Sequence, residues 1–327
     1  MRVLVTGGAG YIGSVTCAHL LQLGHEVTVL DDLSTGHRQA LDSRARFVEG
    51  RVQEQGALAD ALDDVQAVIH FAALSLVGES MREPLRYFRE NLSGAWSLLE
   101  AMHRAGVERV VFSSTAAVYG EPGVDLIAED TPTIPVNPYG QSKLMIEKLI
   151  GEQCRATGIG AICLRYFNAC GASGHLGEDH DPETHLIPRL CQHLLGALDE
   201  FAVFGSDHPT PDGTAVRDYI HVLDLARAHA LALDAIEPGK AEAINLGTGQ
   251  GASVREILSV AGEVSQRPVR AREADRREGD PARLVASNAR ARERLGWSPE
   301  HSAPEEILRS AWAWHVSNPH GYGAAED

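Results

Sequence analysis

The segment Met1-Arg2-Val3-Leu4-Val5-Thr6-Gly7-Gly8-Ala9-Gly10-Tyr11-Ile12-Gly13 decides the fold of this chain. It joins a short apolar, β-rich run to a glycine turn, and the residues from Tyr11 to Leu23 then show the apolar spacing of a helix. Strand, glycine turn and helix in this order is the context in which G-x-G-x-x-G predicts a dinucleotide cradle. The glycines allow the backbone to approach a pyrophosphate closely, and the helix N-terminus supplies free N–H groups for the phosphates.

An acidic residue follows the second predicted strand. The run Glu26-Val27-Thr28-Val29-Leu30 ends in Asp31 and Asp32, near the expected separation of about 20 residues from the glycine turn. A carboxylate there accepts hydrogen bonds from the adenosine ribose and repels a 2′-phosphate. The sequence therefore favours NAD over NADP as the cofactor.

The order of predicted elements gives the fold class. Further strands are predicted at residues 46–50, 65–71, 107–112, 159–165 and 243–247, and long helices at 84–104, 139–157 and 222–236. Alternation of this kind predicts an α/β fold, a Rossmann-type doubly wound parallel sheet with helices on both faces. Beyond Gly171 the pattern becomes mixed, with a loop at 171–185, helices at 186–198 and 253–264, and a strand at 201–204.

We therefore expect two domains. The NAD-binding Rossmann domain spans residues 1–170 with a return around 215–247. A smaller mixed α/β domain, which binds the substrate, spans 171–214 and 248–327.

Composition excludes several classes of function. The 327 residues carry a formal charge of −16, which argues against general binding to nucleic acid or to an anionic membrane. No apolar run approaches membrane-spanning length, and the N-terminal residues do not form a signal-peptide pattern. The five cysteines show no C-x-x-C, so we expect reduced thiols and a cytoplasmic location. None of the 15 histidines forms H-E-x-x-H or another ligand spacing, so we expect no metal.

Tyr139 and Lys143 are the candidate catalytic pair. Residues four apart share a helix face, so both side chains point into one site. A phenol is a poor base because its ordinary pKa is about 10. A nearby lysine ammonium favours the phenolate, and a nicotinamide cation favours it further. Such a pair suits removal of a proton from a sugar alcohol while a hydride leaves the same carbon.

Several motifs together resemble a known family. The glycine turn, the Tyr139/Lys143 pair and Arg165-Tyr166-Phe167-Asn168 resemble the extended short-chain dehydrogenases/reductases. The resemblance narrows to the UDP-glucose 4-epimerase family through three further segments, Val216-Arg217-Asp218-Tyr219-Ile220-His221-Val222, Asn245-Leu246-Gly247-Thr248-Gly249 and Arg276-Arg277-Glu278-Gly279-Asp280. It runs from residue 1 to about Tyr322.

The resemblance implies an activity and a set of site residues. The activity is oxidation of a UDP-sugar at C4, rotation of the 4-keto intermediate and re-reduction, with tightly held NAD. Tyr139 is the implied base, Lys143 binds the nicotinamide ribose, and Thr115 bonds the sugar 4-oxygen. The implied NAD site comprises Gly7, Gly10, Tyr11, Ile12, Gly13, Asp31, Phe71, Ala72, Asn91, Ser113, Lys143 and Tyr166. The implied substrate site comprises Thr115, Asn168, His185, Phe204, Arg217, Tyr219, Arg277, Asp280 and Leu284.

The same residues bear on alternative functions, both other enzymes that act on nucleotide sugars and a protein without catalytic activity. A nucleotide-sugar 4,6-dehydratase needs an acid and a base after the catalytic threonine, whereas Thr115 is followed by Ala116 and Ala117, which can neither donate nor accept a proton. Epimerases of UDP-glucuronate or UDP-pentoses share the catalytic trio, so the sequence separates them less well. A protein that senses NAD without catalysis should lack Tyr139 or Lys143, and this chain has both.

The chain also departs from the family pattern in places. Arg51 stands where an aspartate commonly bonds the adenine amine, and Ser75 where some relatives have a lysine, so we expect NAD to be held less tightly. Leu284 occupies the position of a gate beside the sugar 2-substituent, where a bulky tyrosine excludes N-acetylated sugars. We therefore expect UDP-GlcNAc and UDP-GalNAc as additional substrates. The predicted helices at 84–104 and 139–157 resemble the family's dimer seam, so we expect a homodimer.

Overall fold

The computed structural model describes residues 1–276 and 281–323. In chain order the strands are β1 (Arg2–Thr6), β2 (Glu26–Asp31), β3 (Arg46–Glu49), β4 (Ala67–His70), β5 (Arg109–Thr115), β6 (Gly160–Tyr166), β7 (Asn168–Cys170), β8 (Phe201–Phe204), β9 (Val216–Arg217), β10 (Tyr219–His221), β11 (Ala241–Leu246), β12 (Ala252–Ser253), β13 (Ala271–Ala274) and β14 (Arg283–Leu284). The α-helices are α1 (Tyr11–Gln22), α2 (Gln55–Ala61), α3 (Val77–Arg82), α4 (Pro84–Tyr87), α5 (Ser93–Ala105), α6 (Pro138–Thr157), α7 (Leu186–Leu195), α8 (Val222–Ala235), α9 (Val254–Ser265), α10 (Ala289–Leu295) and α11 (Pro304–Ser317).

A seven-stranded sheet forms the centre of the protein, in the order β11-β6-β5-β4-β1-β2-β3. Every neighbouring pair in it is parallel. The strand order reverses at β1, which pairs with β2 on one side and with β4 on the other. Ligands of such sheets bind beyond the carboxyl ends of the strands at this reversal. The predicted Rossmann-type doubly wound fold is confirmed.

Apolar side chains on both faces of the sheet explain why helices cover both faces. On β1, Val3 and Val5 belong to one buried cluster and Leu4 belongs to another, because successive side chains of a strand point to opposite faces. The first cluster includes side chains of α1 and α8, and the second includes side chains of α2, α5 and α6. The middle of a strand buried on both faces is continuously apolar, which is the pattern that Val3, Leu4 and Val5 show in β1.

A third apolar core lies in the carboxyl-terminal part of the chain. It is formed mainly by α7, α9 and α11, with Leu190, Ile257 and Leu308 fully or almost fully buried. Three small sheets accompany it, namely β10-β7, β12-β9-β14 and β13-β8. The mixed α/β character that the sequence indicated beyond residue 171 is confirmed, while the domain boundaries stay a prediction.

Local sequence signals locate several helix ends correctly. Pro138 is the first residue of α6, and Ser253 forms a capping box with Glu256 at the start of α9. The predicted helix at 186–198 instead ends at Leu195, because Gly196 adopts a left-handed conformation (φ 85°) and stops it. None of the helices in residues 1–276 and 281–323 is long and apolar enough to cross a membrane.

The predicted helix at 84–104 contains a wider turn. Residues 88–92 form a π-helical segment between α4 and α5, with the side chain of Asn91 buried inside the protein. Asn91 accepts a hydrogen bond from Leu74 N (2.8 Å) and donates to Ser142 Oγ (3.0 Å). The wider turn therefore coincides with a side chain that ties the loop after β4 to α6. Such turns frequently mark functional sites.

We predict that Asp224→Ala destabilises the protein strongly. The fully buried Asp224 carboxylate accepts hydrogen bonds from Glu300 N (2.9 Å), His301 N (2.9 Å) and Ser302 Oγ (2.6 Å), which hold the chain before α11 against the start of α8. Each donor left without a partner costs about 1–3 kcal/mol, so we expect the free energy of unfolding to fall by at least about 3 kcal/mol. Urea unfolding followed by circular dichroism measures this loss.

The matched control is Asp234→Ala, because Asp234 is exposed on the same helix. We expect the control to change the free energy of unfolding by no more than about 0.5 kcal/mol. Equal urea midpoints for the two variants would contradict the role given to Asp224.

Candidate active site

A cleft of about 1590 Å³ lies at the carboxyl ends of the central strands. The predicted site residues that line it are Gly7, Gly10, Tyr11, Ile12, Gly13, Asp31, Phe71, Ala72, Asn91, Ser113, Thr115, Tyr139, Lys143, Tyr166, Asn168, His185, Phe204, Arg217, Tyr219 and Leu284. Arg277 and Asp280 lie outside the described residues. The structure thus brings all the other predicted residues to one cleft.

The glycine turn between β1 and α1 leaves no room for side chains at two positions. Gly7 has a φ of +73°, and a Cβ atom there would lie 2.6 Å from Ala72 N. A Cβ atom on Gly13 would lie 2.1 Å from Gly7 O. Gly10 is the N-cap of α1 and offers no side chain to the free N–H groups of the first turn. The turn is therefore shaped for close approach of a phosphate, as an NAD site requires.

Asp31 joins the end of β2 to the glycine turn. Its Oδ2 accepts from Ala9 N (2.9 Å) and its Oδ1 from Leu33 N (2.9 Å). Burial raises the pKa of this carboxyl group, and the two backbone hydrogen bonds oppose the rise. Each oxygen keeps a second lone pair for a ribose hydroxyl. The side chain is thus placed where the acidic residue of a dinucleotide site is expected.

Arg51 lies at the same end of the cleft and is held by two carboxylates. Its guanidinium forms an ion pair with Glu90, and its Nε lies 3.7 Å from Asp32 Oδ2. Arg51 and Ser75 both line the cleft. The expectation that they weaken the hold on NAD stays a prediction.

Helix α6 carries Tyr139 and Lys143 towards β5. The side chain of Asn137 caps the helix by accepting from Gly140 N (2.8 Å). One turn later, Lys143 Nζ donates to Ser113 O (2.9 Å) and lies 5.9 Å from the ring centre of Tyr139. Thr115 Oγ1 accepts from Ala117 N (3.1 Å), and its hydroxyl is hydrogen-bonded to Tyr139. Thr115, Tyr139 and Lys143 therefore meet in one buried corner of the cleft.

Burial controls the protonation of this corner. It raises the pKa of Tyr139, and the hydrogen bond with Thr115 only opposes that rise. Burial also lowers the pKa of Lys143 to about 7, against the influence of Glu147. The influence of the lysine on the phenol is thus outweighed by burial, which disfavours the charged form of both groups. A further positive charge in the cleft would favour the phenolate.

The far end of the cleft is built on β9, β10 and β14. Arg217 of β9 lies opposite Leu284 of β14, and Asn168 donates from Nδ2 to Asp218 O (3.0 Å). Leu284 lines the cleft. Neither neighbour of Leu284 in the chain takes its position in the cleft wall. Arg283 donates to the carbonyls of Asp125 and Gln250, and Val285 is fully buried.

The sequence analysis named His185 as a substrate-site residue but did not predict that it belongs to a cluster of four charged side chains in the loop between β7 and α7. This Glu/His cluster consists of Glu178, His180, Glu183 and His185. Burial opposes protonation of the imidazoles, but their hydrogen bonds to the two carboxylates raise the pKa of His180 to about 9 and that of His185 to about 10. The only signal was the spacing Glu-x-His-x-x-Glu-x-His within a segment that otherwise reads as loop.

Comparison with known proteins agrees with this geometry. Residues 3–247 match the model of the NAD dependent epimerase/dehydratase family. The UDP-glucose 4-epimerase of Corynebacterium glutamicum is 50% identical over 314 residues, with 96% of this chain and 95% of that protein covered. The structure of UDP-glucose 4-epimerase from Brucella ovis in complex with NAD is 46% identical with a TM-score of 0.92, and the match covers 95% of this chain and 97% of that one.

A further solved structure contains both a cofactor and a nucleotide. The UDP-glucose 4-epimerase from Bifidobacterium longum, in complex with NAD⁺ and UDP, is 36% identical with a TM-score of 0.93. The match covers 98% of this chain and 100% of that one. With a family model across most of the chain and relatives of this identity over nearly all of it, the chain belongs to the NAD-dependent epimerase/dehydratase family, and within it to the UDP-glucose 4-epimerases.

Proposed function

We propose that this protein interconverts UDP-glucose and UDP-galactose by inverting the configuration at C4, with NAD as its cofactor. The observation that carries the proposal is the meeting of Thr115, Tyr139 and Lys143 in a cleft whose other wall is the glycine turn. Membership of the UDP-glucose 4-epimerase group supports it. Conversion of UDP-galactose to UDP-glucose by the purified protein, first without added NAD and then with it, is the direct test, and no turnover even with NAD added would contradict the proposal.

Tyr139 takes the proton of the sugar 4-hydroxyl as a phenolate, the form that a positive charge in the cleft favours. Thr115 places a hydroxyl beside it that holds the sugar 4-oxygen. Lys143 donates a hydrogen bond to Ser113 O, which fixes its position, and it binds the nicotinamide ribose of the cofactor. When bound, NAD supplies a hydride acceptor and then a hydride donor at C4. A general base of this kind contributes about 10²–10⁴-fold to the rate.

The opposite end of the cleft holds the nucleotide while the 4-keto sugar rotates. Arg217 grips the diphosphate, since a guanidinium fork matches phosphate oxygens, and Phe204 and Tyr219 line the uridine side. Arg277 and Asp280 complete this end in our proposal, although they lie outside the described residues. Anchoring at a distance from C4 lets the hydride return to the other face of the sugar without loss of the intermediate.

The residues beside Thr115 bear on the choice of reaction. Ala116 and Ala117 follow it directly, and Ala117 lines the cleft with a methyl group. A dehydratase needs an acid and a base there to remove the 6-hydroxyl, and alanine supplies neither. Retention of the hydroxyl groups and epimerisation at C4 is thus the chemistry that this corner of the cleft supports.

We also propose a cytoplasmic location. All five cysteines, Cys17, Cys154, Cys163, Cys170 and Cys191, are free and buried. Burial raises the pKa of Cys154 to about 11 and that of Cys191 to about 12, so neither thiol ionises readily. Unpaired thiols of this kind are typical of a reducing compartment.

A homodimer is the assembly that we propose. Met81, Leu85, Trp96 and Met145 are large apolar side chains that remain 60%, 82%, 57% and 40% exposed. They lie on α3, α4, α5 and α6, and α6 packs against the other three helices. An exposed apolar surface built on adjacent helices favours burial against a second copy of the chain.

We predict that Tyr139→Phe lowers kcat by about 10²–10⁴-fold while the fold and the bound NAD are kept, because a single oxygen carries the proton transfer. Circular dichroism checks that the fold is kept, and the absorbance of the released cofactor checks that NAD remains bound. As a matched pair, Thr115→Val should lose activity and Thr115→Ser should keep most of it, since serine retains the hydroxyl. Near-normal kcat in Tyr139→Phe would remove this residue from the proton transfer.

We predict that Trp96→Glu converts the dimer to a monomer, since each copy would bury an unpaired charge in the proposed seam. Sedimentation velocity at micromolar concentration measures the change. Leu23→Glu is the control, because Leu23 is 56% exposed at the end of α1, away from these helices, and should leave the dimer intact. A wild-type protein that sediments only as a monomer argues decisively against the seam.

We predict that Leu284 admits an N-acetylated sugar and that tyrosine in its place excludes it. Leucine is smaller than tyrosine and leaves room beside the sugar 2-substituent. The measurement is kcat/KM for UDP-galactose and for UDP-N-acetylgalactosamine in the wild type and in Leu284→Tyr, with Leu284→Met as the size control. We expect the ratio to shift against the N-acetylated sugar by at least about 10-fold in Leu284→Tyr only. No turnover of that sugar by the wild type, or an unchanged ratio, would show that Leu284 is not the gate.

A further inference from the structure

The Glu/His cluster defined above has two unusually buried carboxylates. The side chains of Glu178 and Glu183 are each 5% exposed, whereas those of His180 and His185 are 25% and 46% exposed. All four groups belong to the loop between β7 and α7, and Glu178, His180 and His185 line the cleft. Two carboxylates removed from water need a compensating positive charge of the same size.

Both imidazoles turn the same nitrogen towards the carboxylates. His185 Nδ1 lies 3.0 Å from Glu178 Oε1 and 3.0 Å from Glu183 Oε1. His180 Nδ1 lies 3.5 Å from Glu178 Oε1 and 3.3 Å from Glu183 Oε2. Within residues 1–276 and 281–323, this is the one group of three or more such side chains whose ligand atoms come together, all within 4.8 Å of one another.

The four nitrogen–oxygen separations are close to the edges of a small coordination tetrahedron. Zn²⁺ binds imidazole nitrogen and carboxylate oxygen at about 2.0–2.2 Å, so neighbouring ligands of a tetrahedral site lie roughly 3.3–3.6 Å apart. The four nitrogen–oxygen separations of 3.0–3.5 Å lie within a few tenths of an ångström of these edges, and no two ligand atoms of the cluster are more than 4.8 Å apart. Two nitrogen and two oxygen ligands suit Zn²⁺ or Co²⁺ better than Ca²⁺ or Mg²⁺, which prefer oxygen alone.

The charges of the four side chains also fit a bound divalent cation. Two carboxylates carry two negative charges, which one divalent cation between neutral imidazoles neutralises as fully as two protonated imidazoles do. The backbone also orients one ligand, since Glu183 Oε1 accepts from Thr184 N (2.7 Å) and from His185 N (2.7 Å). Hydrogen-bonded carboxylates of this kind are the ones that proteins use to hold metal ions in place.

We propose that Glu178, His180, Glu183 and His185 form a structural binding site for a divalent transition metal ion, with Zn²⁺ as the best fit. Four protein ligands close the coordination sphere and leave no position for a substrate oxygen, which distinguishes a structural site from a catalytic one. The ion fixes the 171–185 loop as a wall of the cleft and takes no part in the chemistry at C4. The histidine spacings alone had led us to expect no metal.

Titration of the purified holoenzyme with Co²⁺, after treatment with a chelator, tests this site. We expect about one Co²⁺ per chain, with the strong visible absorption of tetrahedral coordination, and full displacement by Zn²⁺. His180→Ala and Glu183→Gln should bind Co²⁺ at least about 100-fold more weakly. Zn²⁺ should raise the Tm of the wild type and leave the Tm of both variants unchanged.

His175→Ala is the matched control, because His175 is an exposed histidine of the same loop that is not part of the cluster. It should bind Co²⁺ as the wild type does. The proposal is overturned if the wild type binds no tighter than Glu183→Gln, if the bound Co²⁺ shows only the weak absorption of octahedral coordination, or if His175→Ala loses the site equally. None of these readouts uses epimerase activity. The metal site can therefore be disproved without affecting the proposed reaction, and the proposed reaction can be disproved without affecting the metal site.

Discussion

The buried carboxylate of Asp218 holds together the segments that form the far end of the cleft. Its Oδ1 accepts from Thr248 N (2.8 Å) and Thr248 Oγ1 (2.6 Å), and its Oδ2 accepts from Ala286 N (3.1 Å) and Gly249 N (3.3 Å). Its backbone N–H donates to Leu284 O, while its carbonyl accepts from the backbone N–H of Asn168. One residue thereby fixes the loop after β11, strand β14 and strand β7 around Arg217 and Tyr219, which flank it in the chain. A carboxylate that satisfies this many donors in the interior is worth far more than an exposed ion pair.

A buried ion pair has the same role at the end of the cleft where Thr115, Tyr139 and Lys143 meet. Glu147 lies one turn after Lys143 on α6 and accepts hydrogen bonds from Ser114 Oγ of β5 and from Arg165 of β6. The side chains of Glu147 and Arg165 are only 9% and 7% exposed, so removal of either partner would leave an uncompensated charge in the interior. The pair sets the distance between α6 and the sheet, and with it the position of Tyr139 relative to Thr115. The two ends of the cleft are therefore held by polar contacts and not by apolar packing alone.

The sequence predicted those features that depend on local periodicity or on a known motif. The alternation of strands and helices gave the sheet, Pro138 and Ser253 gave two helix starts, and the glycine turn gave the nucleotide end of the cleft. Periodicity carries no signal for contacts between distant segments, which is why the π-helical turn around Asn91 and the two ion pairs of Arg51 could not be foreseen. The Glu/His cluster was not predicted for a different reason. Its members are close in the chain, but they lie in a loop without the periodicity of a helix or a strand. The effect of burial on the pKa of Tyr139 was also not predicted, since the degree of burial is a property of the folded chain.

The burial of Tyr139 and Lys143 has a thermodynamic consequence for the whole cycle. A positive charge beside the phenol and loss of the phenolic proton stabilise each other, and such coupling is reciprocal by necessity. In the proposed reaction, Tyr139 would thus lose its proton more readily beside the oxidised cofactor and hold it more firmly beside the reduced one. Electron transfer and proton transfer at C4 are therefore balanced against one another in the proposed reaction, so the charge of this corner changes little as the sugar is oxidised and reduced. A wetter corner would screen the two charges from each other and weaken this coupling.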